Sequence, residues 1–143
     1  LKIKTKDELI NIIKQVKDNQ DLNYLDISGL TDLSDLFNKS TFNGDISKWN
    51  TSNVTDMSSL FENSNFDGGI EDWKVSNVTK MKNIFEKTKI DVLKEINKWD
   101  INKAVGVSDL SPTTKITKEI KRRYDIRIKG SKLISIFTKF ILI

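Results

Sequence analysis

The side chains that could carry acid–base or ligand chemistry here are carboxylates, lysines and two tyrosines, because the 143 residues include neither histidine nor cysteine. Without cysteine there is no disulfide framework, no zinc-thiolate site and no thiol nucleophile. Without histidine the usual general base and the commonest metal ligand are both missing. Aspartates are frequent, among them Asp26, Asp32, Asp35, Asp45 and Asp56, but their spacing is not that of a calcium-binding loop. No phosphate-cradling glycine loop, dinucleotide fingerprint or nucleophile elbow occurs either. These aspartates are therefore expected at solvated loops and strand edges. The chain reads as non-enzymatic, with no catalytic residue, metal ligand or cofactor.

What would position these side chains is an internal repeat. Trp49 recurs as Trp73, Val54 as Val78, Met57 as Met81 and Phe61 as Phe85, each after 24 residues. Ile46 to Phe61 reads ISKWNTSNVTDMSSLF, and Ile70 to Phe85 reads IEDWKVSNVTKMKNIF. Upstream, Leu22 to Phe37 keeps the pattern with Leu25 in place of tryptophan. Downstream, Ile96 to Ser111 keeps Trp99 after a two-residue insertion. One such unit cannot enclose its own apolar face, so the units must stack and place each aromatic ring on its copy in the next coil. The β-branched SNVTDM segment predicts a short strand pairing with the same segment of its neighbours. SSLFENS predicts a helical or 3₁₀ turn, and Asn43–Gly44 and Gly68–Gly69 predict turns able to take positive φ.

Phe42 to Phe61, FNGDISKWNTSNVTDMSSLF, closely resembles the BspA-like leucine-rich repeats of bacterial surface proteins, and Lys4 to Leu9, KTKDEL, resembles the segment that often precedes such arrays. The resemblance runs from residue 4 to about 110. It implies a right-handed β/α solenoid used for adhesion or protein binding, with no cofactor. The expected fold class is α/β: a right-handed leucine-rich-repeat-like solenoid of about four 24-residue coils with short parallel strands, a helical cap before it and a helix with a hairpin or second helix after it. All of this forms a single domain, with the N-terminal cap at 1–21, the array at 22–111 and the C-terminal cap at 112–143.

The two ends are read as closures of the stack. Thr5 and Glu8 form a capping box ahead of the apolar stripe Leu9, Ile10, Ile12, Ile13 and Val16, predicting a helix from about residue 6 to 18. Ser111 and Pro112 offer an N-cap and first helical position for a helix up to about Arg123, and Gly130–Ser131 a hairpin turn. Residues 132–143, KLISIFTKFILI, are too short to span a bilayer. They are read as a cap closing the last coil, with an interfacial membrane segment as the alternative.

Charge is distributed unevenly. Residues 1–72 hold 7 basic and 13 acidic side chains, whereas residues 73–143 hold 17 basic and 7 acidic. Positions between the buried ones should stack into polar columns, Thr31, Thr55 and Thr79 beside Asp32, Asp56 and Lys80, forming the candidate partner-binding face. The basic segment containing Lys118, Lys121, Arg122, Arg123 and Arg127 is a second candidate surface. Protein binding is preferred to nucleic-acid binding there, because aromatic residues are sparse and no nucleic-acid motif occurs.

The expected function is a non-enzymatic protein-binding module, a bacterial surface or secreted adhesion module. The alternative is an intracellular inhibitor or regulator docking on a bacterial or phage-defence effector, with the basic region near nucleic acid. The partner is a protein of unknown identity, and the chain a monomer or weak dimer without a transmembrane segment. The N-terminus has no apolar signal core. Localisation is open, at the surface or secreted if a signal was removed before Leu1, and cytoplasmic otherwise.

Overall fold

A computed structural model describes residues 1–100 of the chain. It begins with helix α1, Lys6–Gln15. The Thr5 hydroxyl accepts the Glu8 N–H at 3.1 Å, and the Glu8 carboxylate reaches back to the Lys4 N–H at 2.9 Å. One amide of the first turn and the amide just before the N-cap are thus satisfied reciprocally. Leu9 is fully buried, while Ile10, Ile12, Ile13 and Val16 pack against the same core. The helix stops three residues before the expected position 18. Beyond Val16, which is extended, the Asp18 carbonyl accepts the Asn43 N–H at 2.6 Å and its carboxylate the Thr41 hydroxyl at 2.9 Å. These bonds hold the segment on the next coil, where it could not continue a helix.

From Leu22 onward, segments 24 residues apart lie over one another, but they are not joined as strands. The only parallel pairings among the described residues are isolated bridges, Lys2 with Asp26, Asp32 with Asp56 and Asp56 with Lys80. The expected α/β class, a right-handed solenoid of parallel strands, is therefore corrected: no strand and no sheet forms among the described residues. The expected helices on the opposite side are replaced by turns in the units around Phe37, Phe61 and Phe85. Besides α1, helical structure among the described residues consists of α2, Val92–Glu95, and a 3₁₀ turn at Ile96–Lys98.

The backbone amides show why. A parallel strand directs its N–H groups to neighbouring strands, whereas here they alternate between two destinations. The amides of Leu33, Asp35, Phe37 and Lys39 donate to the carbonyls of Asp56, Ser58, Leu60 and Glu62 in the next coil. Those of Leu36, Asn38 and Ser40 donate three residues back, to Leu33, Asp35 and Phe37. The next unit repeats both sets, with Met57, Ser59, Phe61 and Asn63 bonding to Lys80, Lys82, Ile84 and Glu86. Each unit is thus a run of overlapping turns whose outward half holds the stack together.

This geometry needs left-handed residues at fixed places. Asp35, Ser59 and Asn83 have φ of 59°, 56° and 58°, and Lys39, Asn63 and Lys87 have φ of 59°, 55° and 54°. Each set recurs at the repeat period. Asparagine and aspartate tolerate this region best among residues with a side chain. The glycines play different parts. Gly68 and Gly69 do take positive φ. Gly44 is required by proximity instead, since a Cβ there would collide with the Gln20 carbonyl oxygen.

The core is a stack of rings. The rings of Phe37, Phe61 and Phe85 lie almost parallel, stacked with centroids 5.7 Å and 6.1 Å apart. Phe42 and Phe66 stack on the first two of these at 5.1 Å and 4.5 Å. Trp49 and Trp73 are 6.3 Å apart with 9° between their planes, and both are 3% exposed. Aromatic pairs at such separations add to the benefit of burying the rings. The expected helix up to Arg123, the hairpin turn at Gly130–Ser131 and the remaining C-terminal cap lie outside the described residues.

Candidate functional site

The polar columns anticipated between the buried positions are brought together by the bridges. Asp32, Asp56 and Lys80 are the bridged residues themselves, so adjacent side chains follow one another at the strand-pairing distance of about 4.8 Å. Beside them the Thr55 N–H and hydroxyl both bond to the Thr31 carbonyl, at 2.8 Å and 3.2 Å, and those of Thr79 to the Thr55 carbonyl, at 2.9 Å and 3.2 Å. The threonine hydroxyls therefore serve as struts between coils.

The aspartates have a local duty that their sequence did not advertise. Asp32 Oδ1 accepts the Ser34 N–H at 2.7 Å, and Asp56 Oδ1 accepts that of Ser58 at 2.9 Å. The same two-residue turn recurs where Asp26 holds Ser28, Asp45 holds Ser47 and Asn50 holds Ser52. A short polar side chain bonded to the backbone two residues on is a turn former. The signal lay in the repeated pattern of Asp or Asn, any residue, then Ser.

These bonds favour the ionised carboxylates. The Ser47 hydroxyl, then the Asn23 side chain and the Ser47 amide, lower Asp45 from its ordinary 3.8 to about 2. The Ser28 hydroxyl, helped by its amide, lowers Asp26. At Asp32 partial burial pushes the pKa up, but the Ser34 bonds and Lys6 outweigh it and the net shift is downward. Lys6, reaching from α1, lies 3.4 Å from Asp32 and donates to the Ser34 hydroxyl at 2.9 Å. The helix thereby touches the first rung of the face. Lys80 is exposed, and its ammonium group has no hydrogen-bond or ion-pair partner among the described residues.

Two polar hollows flank the stack. One, of about 300 Å³, lies between Glu71, Asp72, Lys74 and Lys98, with the Lys98–Asp72 ion pair at 3.0 Å on its wall. The hydrogen bond that Lys98 donates to the Asp72 carboxylate raises the Lys98 pKa. The other, of about 440 Å³, runs along Asn43, Gly44, Asp45, Asp67 and Gly68. Among the described residues no group of three or more carboxylates is placed to hold a metal ion, and no helix is long and apolar enough to cross a membrane.

Sequence reasoning passed over Glu95. This side chain is 1% exposed, and its two oxygens accept the Gly69 and Ile70 N–H groups at 2.9 Å and 2.8 Å. A carboxylate holding two backbone amides substitutes for the inter-coil carbonyls used elsewhere, and Gly68 leaves it room, since a Cβ there would strike Glu95 Oε1. The role is structural. Lys118, Lys121, Arg122, Arg123 and Arg127, the second candidate surface, lie outside the described residues.

A family model described as "Mycoplasma protein of unknown function, DUF285" matches residues 7–123. No curated protein and no solved structure matches the chain.

Proposed function

We propose, from the premise that the chain belongs to this family of mycoplasma proteins of unknown function, that it is a non-enzymatic protein-binding module. The resemblance of Phe42–Phe61 to BspA-like surface repeats supports its presentation at a bacterial surface, or its secretion, as an adhesion module. The observation that carries the reading is the registered polar face, in which Thr31, Thr55 and Thr79 run beside Asp32, Asp56 and Lys80 on a core sealed by stacked rings. A stack of repeated coils makes a long, even surface whose outward residues can vary without disturbing the interior, which suits recognition of another protein.

The test is a triple variant, Asp32→Asn, Asp56→Asn and Lys80→Glu, in which asparagine retains the acceptor for the turn amides. Proteins of the source bacterium and of its host are passed over immobilised wild type and variant. Loss of a captured protein with an unchanged melting temperature supports the reading. Equal capture by the two chains removes this face from consideration.

A further inference from the structure

We propose that the Asp56–Lys80 step of this face pairs two copies of the chain in antiparallel fashion. The inference rests on the reading of the face as a docking surface and names its occupant. The bridged column changes sign along its length, with aspartate at 32 and 56 and lysine at 80. Lys82, where the preceding unit has Ser58, extends the positive end. Asp56 uses Oδ1 for the Ser58 amide, and Lys80 is exposed with its ammonium group unpaired among the described residues. Opposite charges one rung apart, about 4.8 Å, are thus presented without being neutralised by an ion pair between them.

Such a step is its own complement. A two-fold axis through the face, between these rungs, sets Asp56 against Lys80 of a second copy and Lys80 against Asp56, so the favourable pair forms twice. A parallel approach would instead oppose like charges and is disfavoured. A partner of uniform charge would gain at one rung what it lost at the next. Thr55 and Thr79, whose hydroxyls are directed to backbone carbonyls, leave short side chains beside the step, so the two faces can approach. Little apolar area is covered, so the association is weak and falls with ionic strength.

Sedimentation equilibrium of the purified chain reads this directly. At low salt the wild type should show a concentration-dependent dimer that dissociates as salt is raised. Lys80→Glu and Asp56→Lys should each weaken it by at least about tenfold. Mixing the two variants should restore the dimer, because each reversed charge then meets its opposite. Asp56→Asn, which keeps the Ser58 acceptor, should weaken the dimer on its own, so the test survives if Asp56→Lys fails to fold. The pairing is overturned by a wild type that stays monomeric at low salt, by folded single variants that dimerise as before, or by a mixture of folded variants that does not. A monomeric wild type that still captures a protein lost by the triple variant overturns the pairing alone and leaves the docking face in place.

Discussion

Trp73 offers the sharpest test of how the stack is held together. Its ring lies 6.3 Å from Trp49 and 6.1 Å from Phe61, and its indole N–H donates to the Ile46 carbonyl at 3.0 Å. That carbonyl already accepts the Trp49 backbone N–H, so it is not orphaned when the indole is removed. Trp73→Phe should therefore lose about 1 kcal/mol for the hydrogen bond, together with a smaller packing loss. Trp73→Ala should lose about 3–5 kcal/mol, a large share of the roughly 5–15 kcal/mol that holds a domain folded. Urea unfolding followed by circular dichroism measures both without relying on tryptophan emission. A double-mutant cycle between Trp49 and Trp73 should return a coupling of about 0.5–1.5 kcal/mol. The cycle between Trp49 and Trp99, which share no ring contact among the described residues, should be nearly additive. A Trp73→Ala cost below about 1 kcal/mol, or equal coupling in the two cycles, would refute the reasoning.

Three further outcomes follow from the turns and the inter-coil contacts. The lowered Asp26, Asp32 and Asp45 stabilise the fold fully above their ordinary value of 3.8, and that contribution is lost as pH falls through the folded values, about 2 for Asp45. Melting temperature should accordingly drop between about pH 4 and 2, less so in Asp45→Asn, and an unchanged profile in that variant would remove Asp45 as a source. Gly44→Ala should destabilise by about 1–3 kcal/mol through collision with the Gln20 carbonyl, whereas Gly29→Ala, with nothing near its Cβ, should be close to neutral in thermal melts. Glu95→Gln places an amide donor against a backbone N–H and should cost about 1–3 kcal/mol; a neutral result in urea titration would show that the carboxylate is dispensable.

The period of the chain could be read from residues alone because an aromatic ring must lie over a ring of similar size, so Trp49, Trp73, Phe61 and Phe85 announce their register. The α1 cap was equally legible, since Thr5 and Glu8 act through bonds that span only a few residues. The strands were misread for a physical reason. Val54 and Thr55 do favour extended backbone, but the Asp56 side chain bonds to Ser58 and ends the run after a single bridged residue. Propensity thus yields to a local side-chain turn. The left-handed conformations at Lys39 and Ser59 carry no compositional mark, because the coils above and below impose them. Glu95 was hidden by distance, meeting Gly69 and Ile70 some 25 residues earlier after the insertion has shifted the register. In the candidate face, sequence spacing identified the column, whereas the bonds that tie Asp32 and Asp56 to their own turns were marked only by the serine two residues on.

The indole ladder has a consequence for how such a chain can change in length. Trp49, Trp73 and Trp99 each reach back to a carbonyl of the unit before, at Leu22, Ile46 and Ile70, so the first two joints are copies of one joint and the third tolerates two extra residues. An in-frame duplication of one unit would meet old neighbours through contacts they already make. Gain or loss of one whole unit would therefore alter the reach of the molecule while each junction kept its chemistry.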